Sequence, residues 1–247
     1  MRWFEALALA ALLALAWAYL LWMGWGMAHM DIGAHMLLMP AMTNWRALDL
    51  LLVFAMWAVM MLAMMLPSAL PMLLAYRTIA SRRVQPRAAL WLFVAGYVAI
   101  WIGFSALATL LQWALLEARL LSPMMVSQSA LLAAVLLLGA GIYQLTPWKR
   151  RCLARCVTPL DFIISEWRDG AGGAWRMGLR HGLFCVGCCW LLMLLLFVLG
   201  VMNVLWIAAL SAVVLLEKFG TTLRWWSPAL ALTLLLWGGA VAFTALA

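Results

Sequence analysis

Charge is what this sequence has least of. Only 10% of its 247 residues are Asp, Glu, Lys or Arg, while 69% are hydrophobic. That excludes a water-soluble domain: apolar segments at this density make a polytopic helical membrane protein. No segment alternates polar and apolar residues with period two, which excludes the strands of a transmembrane barrel. No glycine-rich phosphate loop is present, so work driven by a bound nucleotide is not expected. Carboxylates and histidines are scarce within the apolar segments and no acid–base pair stands out, so an enzyme is the least favoured class. The five cysteines all avoid the predicted outer loops, which argues against a disulfide framework. No small-residue cleavage pattern follows the apolar run 7–23, so that run reads as a retained span.

Hydropathy predicts an all-α bundle of about seven transmembrane spans, at 3–23, 48–75, 88–116, 124–146, 179–199, 202–216 and 228–246. They form a single polytopic membrane domain over 1–247, with an outer loop at 24–45 and an inner loop at 147–180. Of the sixteen Lys and Arg, all but Arg46 and Arg119 fall on one side of this alternation. By the positive-inside rule that side, with the N-terminus, is cytoplasmic. The net charge of +8 is therefore a topology signal, the expected surroundings are a lipid bilayer, and nucleic acid is not an expected partner.

What the chain has in abundance is sulfur. Residues 56–72 read MWAVMMLAMMLPSALPM, with no charge between Asp49 and Arg77. On a helix Met56, Met60 and Met64 recur at i, i+4, i+8, with Met61 and Met65 on the flank beside them. Pro67 and Pro71 remove two backbone donors and free the carbonyls of residues 63 and 67, which a membrane helix tolerates where neighbours or a polar cavity satisfy them. Methionine is a good apolar filler; a ladder of thioethers is also a set of soft ligands that select Cu(I). The outer loop adds His29, Asp31 and His35 among five methionines, a second candidate metal-ligating set.

Cysteine is concentrated on the inner side. In WKRRCLARC, Cys152 and Cys156 stand one helical turn apart in a basic setting. Thr158, Pro159 and Asp161 then open a short amphipathic helix whose apolar face is Leu160, Ile163, Ile164 and Trp167, expected on the inner membrane surface. DGAGGAW follows and reads as a flexible hinge. The fifth span begins RHGLFCVGCCWLLM, where His181, Cys185, Cys188 or Cys189, and Met193 share one face. At 1.5 Å of rise per residue, Cys185 and Cys189 lie about 8 and 14 Å beyond Arg180, and Met72 and Met65 about 8 and 18 Å from Arg77. The two sulfur sets thus occupy the same depth, and they meet if the helices are neighbours. Elsewhere, Gln144 is placed to bond across helices, Gly139 and Gly141 to allow close helix approach, and Glu217 to pair with Lys218 or an inner-loop arginine.

The blocks MWAVMMLAMMLPS, AGIYQLTPWKRRCLARC and HGLFCVGCCWLLMLLLFVLGVMN followed by EKF resemble a bacterial family of predicted metal-binding integral membrane proteins of unknown function. The similarity runs from about Trp57 to Lys218 and implies a helical protein of the inner (cytoplasmic) membrane with a metal.

From the residues, the leading expectation is a multi-pass protein that binds and passes a soft metal, Cu(I), through Met60, Met64, Met65, Cys185, Cys188, Cys189 and His181. His29, Asp31 and His35 would receive the metal, and Cys152 with Cys156 would release it, in exchange with a soluble metal chaperone or a membrane complex. The alternative is a structural or assembly subunit of a larger membrane complex with no metal of its own, in which methionine and seventeen tryptophans serve packing.

Overall fold

The computed structural model describes residues 3–28, 46–83, 88–121, 129–219 and 225–246. Its ten elements are all α-helices: α1 (Trp3–Ala28), α2 (Ala47–Ala80), α3 (Ala89–Glu117), α4 (Ala130–Leu145), α5 (Pro147–Val157), α6 (Pro159–Glu166), α7 (Gly170–Leu194), α8 (Leu196–Leu199), α9 (Val204–Phe219) and α10 (Trp226–Leu246). Five stretches are long and apolar enough to cross a membrane: Trp3–Gly26, Ala47–Ala80, Ala89–Glu117, Gly170–Leu199 and Trp226–Ala245. The other two predicted spans come out as the 16-residue helices α4 and α9, about 24 Å each. The pair α4 and α5, bent by 67°, makes a sixth candidate if it is counted as one broken span.

The α4–α5 bend has a local cause. Proline pushes the residue before it out of the helical region, and Thr146, ahead of Pro147, is extended at φ −70° and ψ 146°. Its hydroxyl then accepts from the Lys149 N–H at 3.3 Å, capping α5. The turn lays α5 against α7, so WKRRCLARC, within the expected inner loop, is a helix packed on the bundle.

α2 stays continuous through Pro67 and Pro71. The Met65 carbonyl, which lies between the two that proline frees, accepts from Ser68 Oγ at 2.7 Å and Tyr97 Oη at 2.9 Å. α2 and α7 are central: half of each apolar window is buried, against 17% for α1 and α10, whose outward faces are apolar.

Helices α3 and α7 approach at backbone distance because glycine stands at both contact points. A Cβ at Gly178 would collide with the Phe93 carbonyl, and one at Gly96 with that of Trp175. Gly96 and Gly178 are therefore packing surfaces, while DGAGGAW is helical and not a hinge: α7 starts at Gly170, whose φ of +81° only glycine adopts without strain. Of the two glycines expected at a close approach in α4, Gly141 abuts Leu235 and the Ala231 carbonyl of α10, whereas Gly139 faces open space.

α6 turns Phe162 and Ile163 into the bundle, while Leu160 and Ile164, 61% and 77% exposed, stay on its outer surface. Two further expectations are corrected. Lys149 and Lys218, counted among the topology charges of the inner side, are buried. Among the described residues Glu217 pairs with neither Lys218 nor an arginine: both its oxygens accept from Lys149 Nζ, at 2.7 and 2.8 Å. Lys149 also donates to Gln144, which thus does bond across helices, from α4 to α5. The ion pair is enclosed on both sides and ties α5 to α9, since removing either partner of such a pair strands a charge in a low-dielectric interior.

Candidate metal centre

The methionine ladder of α2 faces inward as a block: Met56, Met60, Met61, Met64 and Met65 are all buried. So are His181, Cys185, Cys188, Cys189 and Met193 of α7. The helical period puts each set on one stripe, and each stripe turns toward the same core. The two sets meet at Cys189 Sγ and Met65 Sδ, 3.9 Å apart.

Around that contact the side chains form one connected arrangement. Lys218 Nζ, from the end of α9, donates to Cys185 Sγ at 3.0 Å and to Ser68 Oγ at 2.9 Å. Tyr97 Oη, from α3, lies 3.1 Å from Cys185 Sγ. The thiols of Cys188 and Cys189 turn back to the Cys185 carbonyl, at 3.1 and 3.0 Å. A buried thiol takes a local backbone acceptor when no other partner is in reach, because leaving a polar group unmatched costs more than the bond itself gains.

The bend at Thr146 delivers the remaining cysteines. Cys156 is buried in the same core as Cys185 and Cys188. Cys152 is half-buried, with its sulfur against Gly187: a Cβ at that position would stand 2.8 Å from Cys152 Sγ. All five cysteines, which are free, therefore gather along the α5–α7 contact. From the sequence they are two separate groups thirty residues apart.

His181 sits one turn below Cys185 in an aromatic box. Its ring lies 5.5 Å from Tyr97, 6.0 Å from Phe93 and 5.4 Å from Phe162 of α6. Both imidazole nitrogens are buried with no hydrogen-bond partner. Buried polar atoms are normally satisfied, so an orphaned imidazole marks a place where a further partner belongs.

Of the residues singled out from the sequence, Met65, Cys185, Cys188, Cys189 and Cys156 come together, with Met60 and Met64 in the same core, His181 one turn away and Cys152 at the edge. His29, Asp31 and His35 lie outside the described residues. Among the described residues no group of three or more His, Cys, Asp or Glu side chains converges as a metal-holding set. The thiols that would form one are turned to the backbone or held by Lys218 and Tyr97. Three participants went unmarked in the sequence: Tyr97, Ser68 and the inward turn of Lys218. Only Lys218 carried a signal, as an ionisable residue ending an apolar helix.

A model of the family PpoB2, described as copper chaperone, matches residues 54–241. That stretch takes in every cysteine and the whole methionine ladder. No curated protein and no solved structure matches the chain.

Proposed function

The chain belongs to the PpoB2 copper-chaperone family, and from that premise we propose that it is an integral membrane protein that binds Cu(I) on buried methionine and cysteine sulfur and passes it along the bundle. The observation that carries this reading is the Cys189 thiol 3.9 Å from the Met65 thioether, with Cys185, Cys188 and Cys156 packed around it. Thiolate and thioether are the donors that select Cu(I), whereas oxygen-seeking cations need carboxylates. Glu217, beside Lys218 in sequence, is engaged by Lys149.

The residues divide the work. A χ1 rotation frees the thiols of Cys188 and Cys189 from the Cys185 carbonyl, at a net cost of about 1 kcal/mol per hydrogen bond. Lys218 holds the position beside Cys185 Sγ that a cation takes in the loaded site, and Ser68 is the acceptor to which it withdraws. His181 supplies an unpartnered imidazole one turn away. Met60 and Met64 continue the sulfur line along α2, and Cys156 and Cys152 continue it along α5. Successive exchangeable soft sites suit passage, because each must release what it binds. His29, Asp31 and His35 are assigned to metal capture on residue type alone.

The test is metal retention. Protein purified in detergent and loaded anaerobically with Cu(I) should keep copper through gel filtration, and a Cys185→Ser, Cys188→Ser, Cys189→Ser triple variant should lose it. A wild type that keeps none, or a triple variant that keeps as much, overturns the proposal in favour of an assembly subunit. Alkaline extraction of membranes checks the other half: the chain should stay with the lipid.

A further inference from the structure

One cavity, of about 430 Å³, opens on α5, lined by Trp148, Arg151, Cys152, Ala154, Arg155 and Phe184. That is within the size range of small-molecule sites. Arg151 and Arg155 stand at i, i+4 on either side of Cys152, a like-charge spacing that disfavours a helix and that a bound anion would relieve. α5 contains no carboxylate to offset them. Arg155 Nη1 donates to Ser165 Oγ at 2.9 Å, which leaves most of its five donors free for a ligand. Trp148 and Phe184 supply apolar walls.

Cys152 connects this cavity to the interior. It is the one cysteine of the five that is not fully buried. On its inner side the sulfur presses on Gly187, the neighbour of Cys188. A ligand that suits the cavity has carboxylates for two guanidinium forks, which bind them bidentately, a small body, and a soft atom to meet the Cys152 sulfur.

Resting on the Cu(I)-binding reading above, we infer that the Cys152 cavity binds a small anionic thiol and is the place where that carrier and the protein exchange Cu(I). The step is a ligand exchange with no change of oxidation state. The Cys152 sulfur–copper bond forms as the carrier's sulfur–copper bond breaks, and the Cys152 proton leaves on the carrier thiol. Cys188, one residue beyond Gly187, is the next acceptor inward, and the reverse sequence unloads the protein.

The experiment compares two carriers on the purified full chain. Cu(I) is presented anaerobically on glutathione, which is anionic, or on 2-mercaptoethanol, which is neutral, and the rate of copper uptake is followed by rapid gel filtration and elemental analysis. An Arg151→Gln, Arg155→Gln variant should load about tenfold more slowly from glutathione, for the loss of two charge-assisted contacts, and at the wild-type rate from 2-mercaptoethanol. Cys152→Ser should slow loading from both carriers. Equal effects of the arginine pair on both carriers, no effect on either, or unaltered loading by Cys152→Ser overturns the inference. A wild type that retains no copper from either carrier brings down the preceding proposal and this one together. Charge-blind loading of a copper-retaining protein brings down this one alone.

Discussion

Lys218 Nζ lies 3.0 Å from Cys185 Sγ with both side chains enclosed by the bundle. An ammonium in such a place needs its partners, and its others are few: Ser68 Oγ is the second acceptor. Cys185→Ala should therefore cost about 3–5 kcal/mol, the usual penalty for stranding a buried charge. Cys188→Ala, whose thiol bonds only within its own helix, should cost about 1 kcal/mol. Adding Lys218→Met to Cys185→Ala should restore most of the loss. Thermal unfolding in detergent reads these three variants and Lys218→Met alone, and simple additivity of the Cys185→Ala and Lys218→Met effects would contradict the coupling.

The Lys149–Glu217 pair holds α5 onto α9. Lys149→Met should loosen α5, lower stability by about 3–5 kcal/mol and expose the otherwise buried Cys156 to maleimide. Mass spectrometry of the labelled protein checks this. Labelling of Cys156 at the wild-type rate would show that the pair does not position α5.

Gly178 and Gly139 should separate sharply. Gly178→Ala drives a methyl group into the Phe93 carbonyl and should destabilise by about 1–3 kcal/mol, as overpacking does. Gly139→Ala meets nothing and should be neutral or stabilise by up to about 1 kcal/mol through helix propensity. Equal melting temperatures for the two variants would rule out the α3–α7 interlock.

His181→Phe should act with opposite signs on the empty and loaded protein. Phenylalanine keeps the stacking against Tyr97 and Phe162 and removes two unsatisfied buried nitrogens, so the metal-free protein should gain about 1–3 kcal/mol. The rise in melting temperature on adding Cu(I) should shrink, because a ligand that binds only the native state stabilises in proportion to its affinity. An undiminished copper-induced rise would remove His181 from the set of ligands.

What could be read in the chain was whatever depends on neighbours three or four residues apart. The methionine stripe of α2 and the His181–Met193 stripe of α7 were both legible, because helical period alone puts such residues on one face. The Thr146–Pro147 break lay in plain view too, yet its consequence did not: a bend of 67° lays the basic helix α5 on the bundle and brings Cys156 into the core that holds Cys185. The burial of Lys149 and Lys218 is hidden in the sequence for a related reason. A basic residue at the end of an apolar helix looks the same in sequence whether it meets water or a buried partner, and here Glu217 and Cys185 supply the partners. Phe162 carries no mark in the sequence because α6 is too short, at 8 residues, for periodicity to say which face turns inward.

By itself the sequence determined that the chain is helical, lipid-compatible and rich in soft donors, since hydropathy and residue chemistry are properties of each segment alone. Tertiary structure decided that Met65 and Cys189, 124 residues apart, face one another and that Tyr97, Ser68 and Lys218 close around them. Such contacts depend on how separate helices pack, and packing is set by glycine contacts such as Gly96 and Gly178 and by buried pairs such as Lys149 and Glu217. Neither partner reveals such a contact when read on its own.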